Sequence, residues 1–196
     1  SRLVTTSLRL SQIAATLFDV LKHDAAKTAP VLEASLWRVA SKTLMIASTA
    51  NSRWDCLAVA AMAHDDAALI AGVSALGEHP GDATPLCLPA RAKIEDVRPR
   101  PSHIFQWRNE TRGAFMPVAG AHSPDCSVDG IVFPIYLPSV DEPDAFLRLA
   151  RLLDDEPPSA DAGPRLVAWA DGVPCFEIRF SDMQSGAESL LALART

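Results

Sequence analysis

The stretch LVAWADGVPCFEIRF, residues 166–180, is the part of the chain whose reading decides the fold. Two apolar runs flank Asp171-Gly172, a dipeptide suited to a two-residue hairpin turn because Asp and Gly tolerate positive φ. Phe176, Ile178 and Phe180 alternate with Glu177 and Arg179, the period of a strand with one buried and one solvated face. The pattern predicts a hairpin of strands Leu166–Ala170 and Val173–Phe180. A closing helix over residues 185–194 would lay Leu190, Leu191 and Leu193 on that sheet.

Upstream, Ile131 to Leu137 reads as a strand, with Pro134 placing it at an edge or a bulge because proline cannot donate to a ladder. Ile104 to Arg108 and Ala114 to Val118 flank a five-residue hairpin loop, Asn109 to Gly113. Between these strands and the final hairpin, Asp141-Glu142-Pro143-Asp144 opens a helix: it has an acidic first turn and a proline near its start. That helix carries Phe146, Leu149, Ala150 and Leu153, has Asp154, Asp155 and Glu156 as its solvated end, and stops before Pro157-Pro158. The C-terminal order is β-β-β-α-β-β-α, and its short connections predict mainly antiparallel pairing.

All fifteen prolines except Pro30 lie between Pro80 and Pro174, so long helices are expected before Pro80. A first helix is predicted from Ser7 to Lys22 on Leu10, Ile13, Leu17 and Leu21, with Ala14 and Phe18 widening the stripe. A second follows Pro30 on Leu32, Leu36, Val39, Thr43 and Ile46. Ser52 and Asp55 suit a capping box for a third. Asp65 or Asp66 would cap a fourth, ending at Leu76-Gly77, and the third and fourth could equally be one long helix. The expected fold is α+β: a helical region over residues 1–78 forming a small bundle, a Pro-rich linker or arm over 79–103, and an α+β domain over 104–196.

The composition is that of a globular protein, with 48% hydrophobic and 21% charged residues in 196. A net charge of -6 does not suit wholesale nucleic-acid binding, which needs a basic surface. No apolar run approaches the roughly 18–20 residues of a membrane span. Arg9, Asp19 and Lys22 interrupt the first helix, so no signal peptide is expected and a cytoplasmic location is. Cys56, Cys87, Cys126 and Cys175 are widely spaced and read as free thiols. The bias towards Ala and Arg is of the kind common in GC-rich bacterial genomes.

Candidate chemistry is sparse. Leu57 to Asp65, with the doublet His64-Asp65, resembles the His-Asp motif of HD-type metal-dependent phosphohydrolases. That resemblance implies helices supplying His and Asp ligands to a metal that activates water, with His23 as the upstream candidate. Cys87, His103, His122 and Cys126 lack the C-x2-C spacing of a zinc site. No metal and no cofactor is assigned. There is no Walker A sequence and no G-x-G-x-x-G; Gly72 to Gly77 has the wrong spacing for a nucleophile elbow.

Residues 91–112 are different. They hold Arg91, Lys93, Arg98, Arg100, Arg108 and Arg112 against Glu95, Asp96 and Glu110, with Phe105 and Trp107 interleaved. Guanidinium forks beside aromatic planes suit a phosphate, a carboxylate or an acidic partner. The binding candidates are Arg98, Arg100, Trp107, Arg108 and Arg112.

Three readings follow. The first is a non-catalytic bacterial protein-interaction module: an adaptor, chaperone or immunity-type protein with a protein partner, a homodimer included. The order helix-β-β-β-α-β-β-α is similar to that of the small acidic chaperones of type III secretion, which implies dimerisation or binding of an extended segment along a sheet edge. The second is a metal-dependent hydrolase using His64 and Asp65. The third is an anionic-ligand or nucleic-acid binder using the Arg91–Arg112 stretch.

Overall fold

In a computed structural model of the chain, the described residues are 17, 20–47, 67–86, 88, 90–93, 104–107, 111–116, 125–136, 150, 153–154 and 161–196. Strands β1 (Val31–Leu32), β5 (Ser74–Leu76), β6 (Asp82–Pro85), β10 (Cys126–Ser127) and β12 (Leu153–Asp154) form an antiparallel sheet in the order β10-β6-β5-β1-β12. A second sheet has the order β13-β11-β3-β2-β4, from β2 (Ser35–Val39), β3 (Lys42–Ile46), β4 (Ala67–Ala71), β11 (Gly130–Tyr136) and β13 (Cys175–Phe180). A three-stranded ribbon, β7-β9-β8, is made of β7 (Ala90–Lys93), β8 (Ile104–Trp107) and β9 (Thr111–Met116). The described residues also contain three helices: α1 (residues 20–26), α2 (Ala162–Ala170) and α3 (Met183–Arg195).

The second sheet is buried on both faces over most of β2, β3 and β11, while its outer strand β13 exposes Glu177 and Arg179. One face gathers Trp37, Val39, Leu44, Ile46, Leu69, Val132, Ile178 and Phe180 against Leu190, Leu191 and Ala194 of α3. The other gathers Leu36, Met45, Ile131 and Phe133 with Leu166 and Trp169 of α2 and with Leu32, Leu76 and Ala83 of the first sheet. Each such side chain, fully removed from water, contributes about 1.5–3 kcal/mol. The outer face of the first sheet carries Val31, Val73, Ala75 and Leu88, and Ala25, Ala26 and Ala29 pack against it. Residues expected in separate parts therefore share one core.

β11 is parallel to both its neighbours, β3 and β13, while β2 pairs antiparallel with β3 and β4. Reciprocal bonds fasten its start to β3: the Thr43 amide donates to Asp129 Oδ2 at 2.7 Å, and the Asp129 amide to the Thr43 carbonyl at 2.8 Å. Pro134 thus lies in a central strand, not an edge strand. The Ile131 amide donates to Pro174, so alternate amides point to β13 and position 134 points to the β3 side. The described pairing with β3 runs to Val132↔Ile46, and the Ala47 amide donates to the Val132 carbonyl.

The expected α+β class holds, but the N-terminal helical bundle does not. Leu32, Leu36, Val39, Thr43 and Ile46 lie on β1, β2 and β3, not on a helix. β2 and β3 bury both faces, so they lose the alternation that marks a strand and their apolar positions mimic a helical stripe. Residues 67–76, expected as a fourth helix, form β4 and β5. The third expected helix lies outside the described residues, and the first reaches residue 26, past Lys22. The Pro-rich stretch 79–103 contains β6 and β7. Ala150 is helical as expected, yet Leu153–Asp154 form β12. The β8–β9 hairpin is present but tighter than expected: Thr111, Arg112 and Gly113, expected in its loop, are already in β9, and the strands close at Trp107↔Thr111.

The opening stretch is corrected too. Residues 162–170 are helix α2, which buries Ala162, Leu166 and Trp169 on one side; Pro164 falls in the first turn, where proline is tolerated. Asp171-Gly172 is the stop of that helix. Asp171 has φ -65° and ψ 125°, Gly172 has φ 80°, and the Val173 amide donates to the Ala170 carbonyl at 3.1 Å. This is a type II turn; the type I′ hairpin would need positive φ at both residues. The chain then enters β13 parallel to β11; β11 with its two neighbours is the parallel exception, and the unit's other described pairings are antiparallel, as expected. α3 follows where a helix was expected, capped by Asp182, whose side chain accepts from the Ser185 amide at 2.9 Å. That bond, and another from the Ser185 hydroxyl, hold the Asp182 carboxyl below its usual range.

Two substitutions with opposite sign test this geometry. A Cβ at Gly77 would stand 2.6 Å from Asp82 Cβ and 2.9 Å from its carbonyl oxygen, which accepts the Gly77 amide. Gly77→Ala is therefore expected to cost about 2 kcal/mol or more by urea unfolding. Ala40, in the β2–β3 turn, is exposed and has φ 52°. Ala40→Gly relieves that conformation and loses no packing, so it is expected to raise stability by up to about 1 kcal/mol.

Candidate functional site

Two surfaces collect residues with binding chemistry. The first is the ribbon. Its register pairs Arg91 with Phe115, Lys93 with Gly113, Phe105 with Gly113 and Trp107 with Thr111. Residues paired across a ladder share a face, and alternate residues along a strand return to it. One face of the ribbon therefore carries Arg91, Lys93, Phe105, Trp107 and Phe115. The other carries Ala90, Ala92, Ile104, Gln106, Arg112, Ala114 and Met116.

This sorts the sequence-based binding candidates. Trp107 and Arg112 stand on opposite faces of the ribbon, since Arg112 pairs with Gln106. Arg98, Arg100 and Arg108 lie outside the described residues. Arg91, Lys93 and Phe115 join Trp107 although only the charge of the first two had drawn notice. Their alternation at 91/93 and 105/107 was readable, but only knowledge of the strand partners makes it one face.

The second surface is α1. Ala25 and Ala26 pack against the first sheet, and Lys22 reaches Glu33 at 3.0 Å on the same side. Leu17, Val20 and Leu21 are instead 55%, 50% and 47% exposed. At about 100° per residue, these three fall within one arc of the helix, which lies away from Lys22 and Ala26 and adjoins Ala25, one turn beyond Leu21. Leu17 and Leu21 of the apolar stripe expected to build a bundle are thus exposed; Leu10, Ile13, Ala14 and Phe18 lie outside the described residues.

The remaining chemistry is not assembled. Among the described residues no three His, Cys, Asp or Glu side chains form a group able to hold a metal ion. His64, Asp65, Asp66, Cys87, His103 and His122 lie outside the described residues. The chain enters strand β4 immediately after Asp66, where the HD-type resemblance called for a helix. Cys126 and Cys175 are free thiols. Burial raises the Cys126 thiol above its usual range; Arg38 opposes the shift, while Asp125, Asp82 and Asp129 add to it. Burial also raises Cys175. Both therefore favour the thiol over the nucleophilic thiolate at neutral pH. Ser35 Oγ, Trp37 Nε1 and Ser74 Oγ are buried with no hydrogen-bond partner among the described residues; nothing described here explains them.

No protein-family model matches the chain, and no curated protein matches its sequence.

The raised thiols give a signed expectation. The folded protein keeps these protons to higher pH than the unfolded chain, so stability falls as pH rises from the ordinary thiol range to the raised one. That alkaline loss is expected to shrink in Cys126→Ala plus Cys175→Ala. Cys175 in the native chain is expected to react with a thiol reagent more slowly at neutral pH than a free cysteine does; equal or faster labelling contradicts the raised values.

Proposed function

We propose that the chain is a non-catalytic protein-interaction module of the adaptor or chaperone kind, with α1 as its contact face. One observation carries this reading. Of the four large hydrophobic side chains exposed among the described residues, Val20 and Leu21 stand on α1 and Leu17, itself helical, comes three residues before Val20; the fourth, Val167, is on α2. Apolar anchors one helical turn apart are how an amphipathic helix engages a partner. Sheet-edge pairing is a poorer mode here. β13 is an outer strand of the second sheet, and the exposed Glu177–Arg179 pair, at 2.6 Å, stands on it. Charges on an edge strand oppose the addition of another strand.

The ribbon supports a second reading, an anionic ligand with a planar group, such as single-stranded nucleic acid. The supporting observation is the register that places two cationic and three aromatic residues on one face, since bases stack on aromatic rings while cations track phosphates. Anisotropy of a labelled oligonucleotide at two salt concentrations tests it. Arg91→Ala plus Lys93→Ala is expected to lower the salt slope by about 1.4 if each cation meets one phosphate. Binding that ignores salt would remove this reading.

For the principal reading, the native chain and Leu17→Ser plus Leu21→Ser are cross-linked in native lysate. Because both leucines are exposed, the variant is expected to unfold within about 0.5 kcal/mol of the native chain for each substitution while losing its cross-linked product. A product that persists at native yield places the contact face elsewhere.

A further inference from the structure

Resting on the reading of the ribbon as a surface for single-stranded nucleic acid, we infer that Gly113 is the floor of a slot for one base, with Lys93 on its phosphate side and Phe105 on its stacking side. β9 is the middle strand of the ribbon, and its Gly113 pairs with Lys93 of β7 and with Phe105 of β8. The three positions form one row across the ribbon: cation, glycine, aromatic. Two strand spacings set the ends of the row about 9–10 Å apart.

A glycine inside a strand weakens it, since it has no side chain to pack and loses the most freedom on folding. Such a residue marks a bulge, a bend at a barrel corner, or a place where a ligand or another backbone comes close. A bulge is not the cause at Gly113. Each step of one residue on β9 is matched by one on its partner, from Ala90↔Met116 to Lys93↔Gly113 and from Ile104↔Ala114 to Trp107↔Thr111. A three-stranded ribbon has no barrel corner to turn. Close approach is the cause that remains.

The neighbouring rows identify what approaches. On the same face, Arg91 pairs with Phe115 in one direction along the strands, and Trp107 pairs with Thr111 in the other. The cations of this face are both on β7, while its aromatics are on β9 and β8. A protein backbone lying over Gly113 needs no such division. A nucleotide strand does, with its phosphates following β7 and its bases lying towards β8. At Gly113 a base can come down to the backbone because no Cβ stands there, and Phe105 in the same row supplies a ring on which to stack.

Anisotropy of a labelled deoxythymidine oligomer with the full chain, at two salt concentrations, tests the inference. Gly113→Val fills the floor with a residue that favours strands. Phe105→Leu removes the stacking ring and adds no bulk. Each is expected to weaken binding about tenfold, the scale of losing one stacked base, and to keep the salt slope of the native chain. Lys93→Ala is expected to lower that slope by about 0.7. Thermal melting is run on every variant; if Gly113→Val melts below the native chain, Phe105→Leu alone decides.

Native affinity in Phe105→Leu, or in a Gly113→Val chain that melts like the native one, overturns the slot. Salt-dependent binding by the native chain then leaves the nucleic-acid reading of the ribbon standing. An unlabelled duplex that competes as well as the single strand also overturns the slot, because stacked and paired bases cannot enter it. If the native chain does not bind the oligomer, or binds it regardless of salt, the slot and the reading both fall.

Discussion

The placement of β11 is the constraint on which the rest of the structure depends. It lies between β3 and β13 and runs parallel to both. Parallel neighbours cannot be joined by a tight turn, so the chain must leave the sheet and come back. α2 lies on the path between β11 and β13, and its Leu166 and Trp169 pack on the sheet face that it crosses. Trp169 then ties the layers together: its indole donates to the Asp82 carbonyl at 2.5 Å, and its own carbonyl accepts the Gly81 amide at 2.9 Å. The start of β11 is set by Asp129 on Thr43. Phe176 of β13 closes over Gly130, where a Cβ would stand 2.7 Å from its ring.

Burial of that sheet on both faces governs how far its sequence could be read. A strand with one wet face alternates, as β13 does at Glu177 and Arg179. β2 and β3 have no wet face over most of their length, so Leu36, Trp37, Leu44, Met45 and Ile46 run together. Such a run fits a strand or a buried helix equally well by period alone. The β-branched and aromatic residues, and a two-residue turn at Ala40-Ser41, were the weaker cues that pointed the right way.

The candidate surfaces were legible to different degrees. The cationic and aromatic character of residues 91–112 is a property of composition and was visible. Which of those residues share a face depends on the pairing of β7, β8 and β9, and β7 meets β9 across at least twenty residues of chain. The stripe on α1 was visible as a stripe. Whether it faces the core or solvent is decided by the competing alanine side, which has the smaller residues and therefore the closer approach to the first sheet. The thiols illustrate the same limit: Asp125 and Asp129 are chain neighbours of Cys126, but nothing local reveals that Arg38 and Asp82 also act on it.

By itself the sequence determined local matters: where β11, β13 and α3 lie, that the β8–β9 segment turns back on itself, and that the chain direction changes at Asp171-Gly172. These depend on side-chain period, proline, glycine and capping chemistry within a few residues. Only the tertiary structure decided what the Asp-Gly turn joins. The same two residues suit a hairpin or the end of a helix, and the choice went to the helix because Leu166 and Trp169 find a buried face one helical turn apart. Tertiary structure also decided that the apolar stretches within 31–46 and 67–76 are strands, since it is their neighbours on both sides that make a fully apolar strand stable.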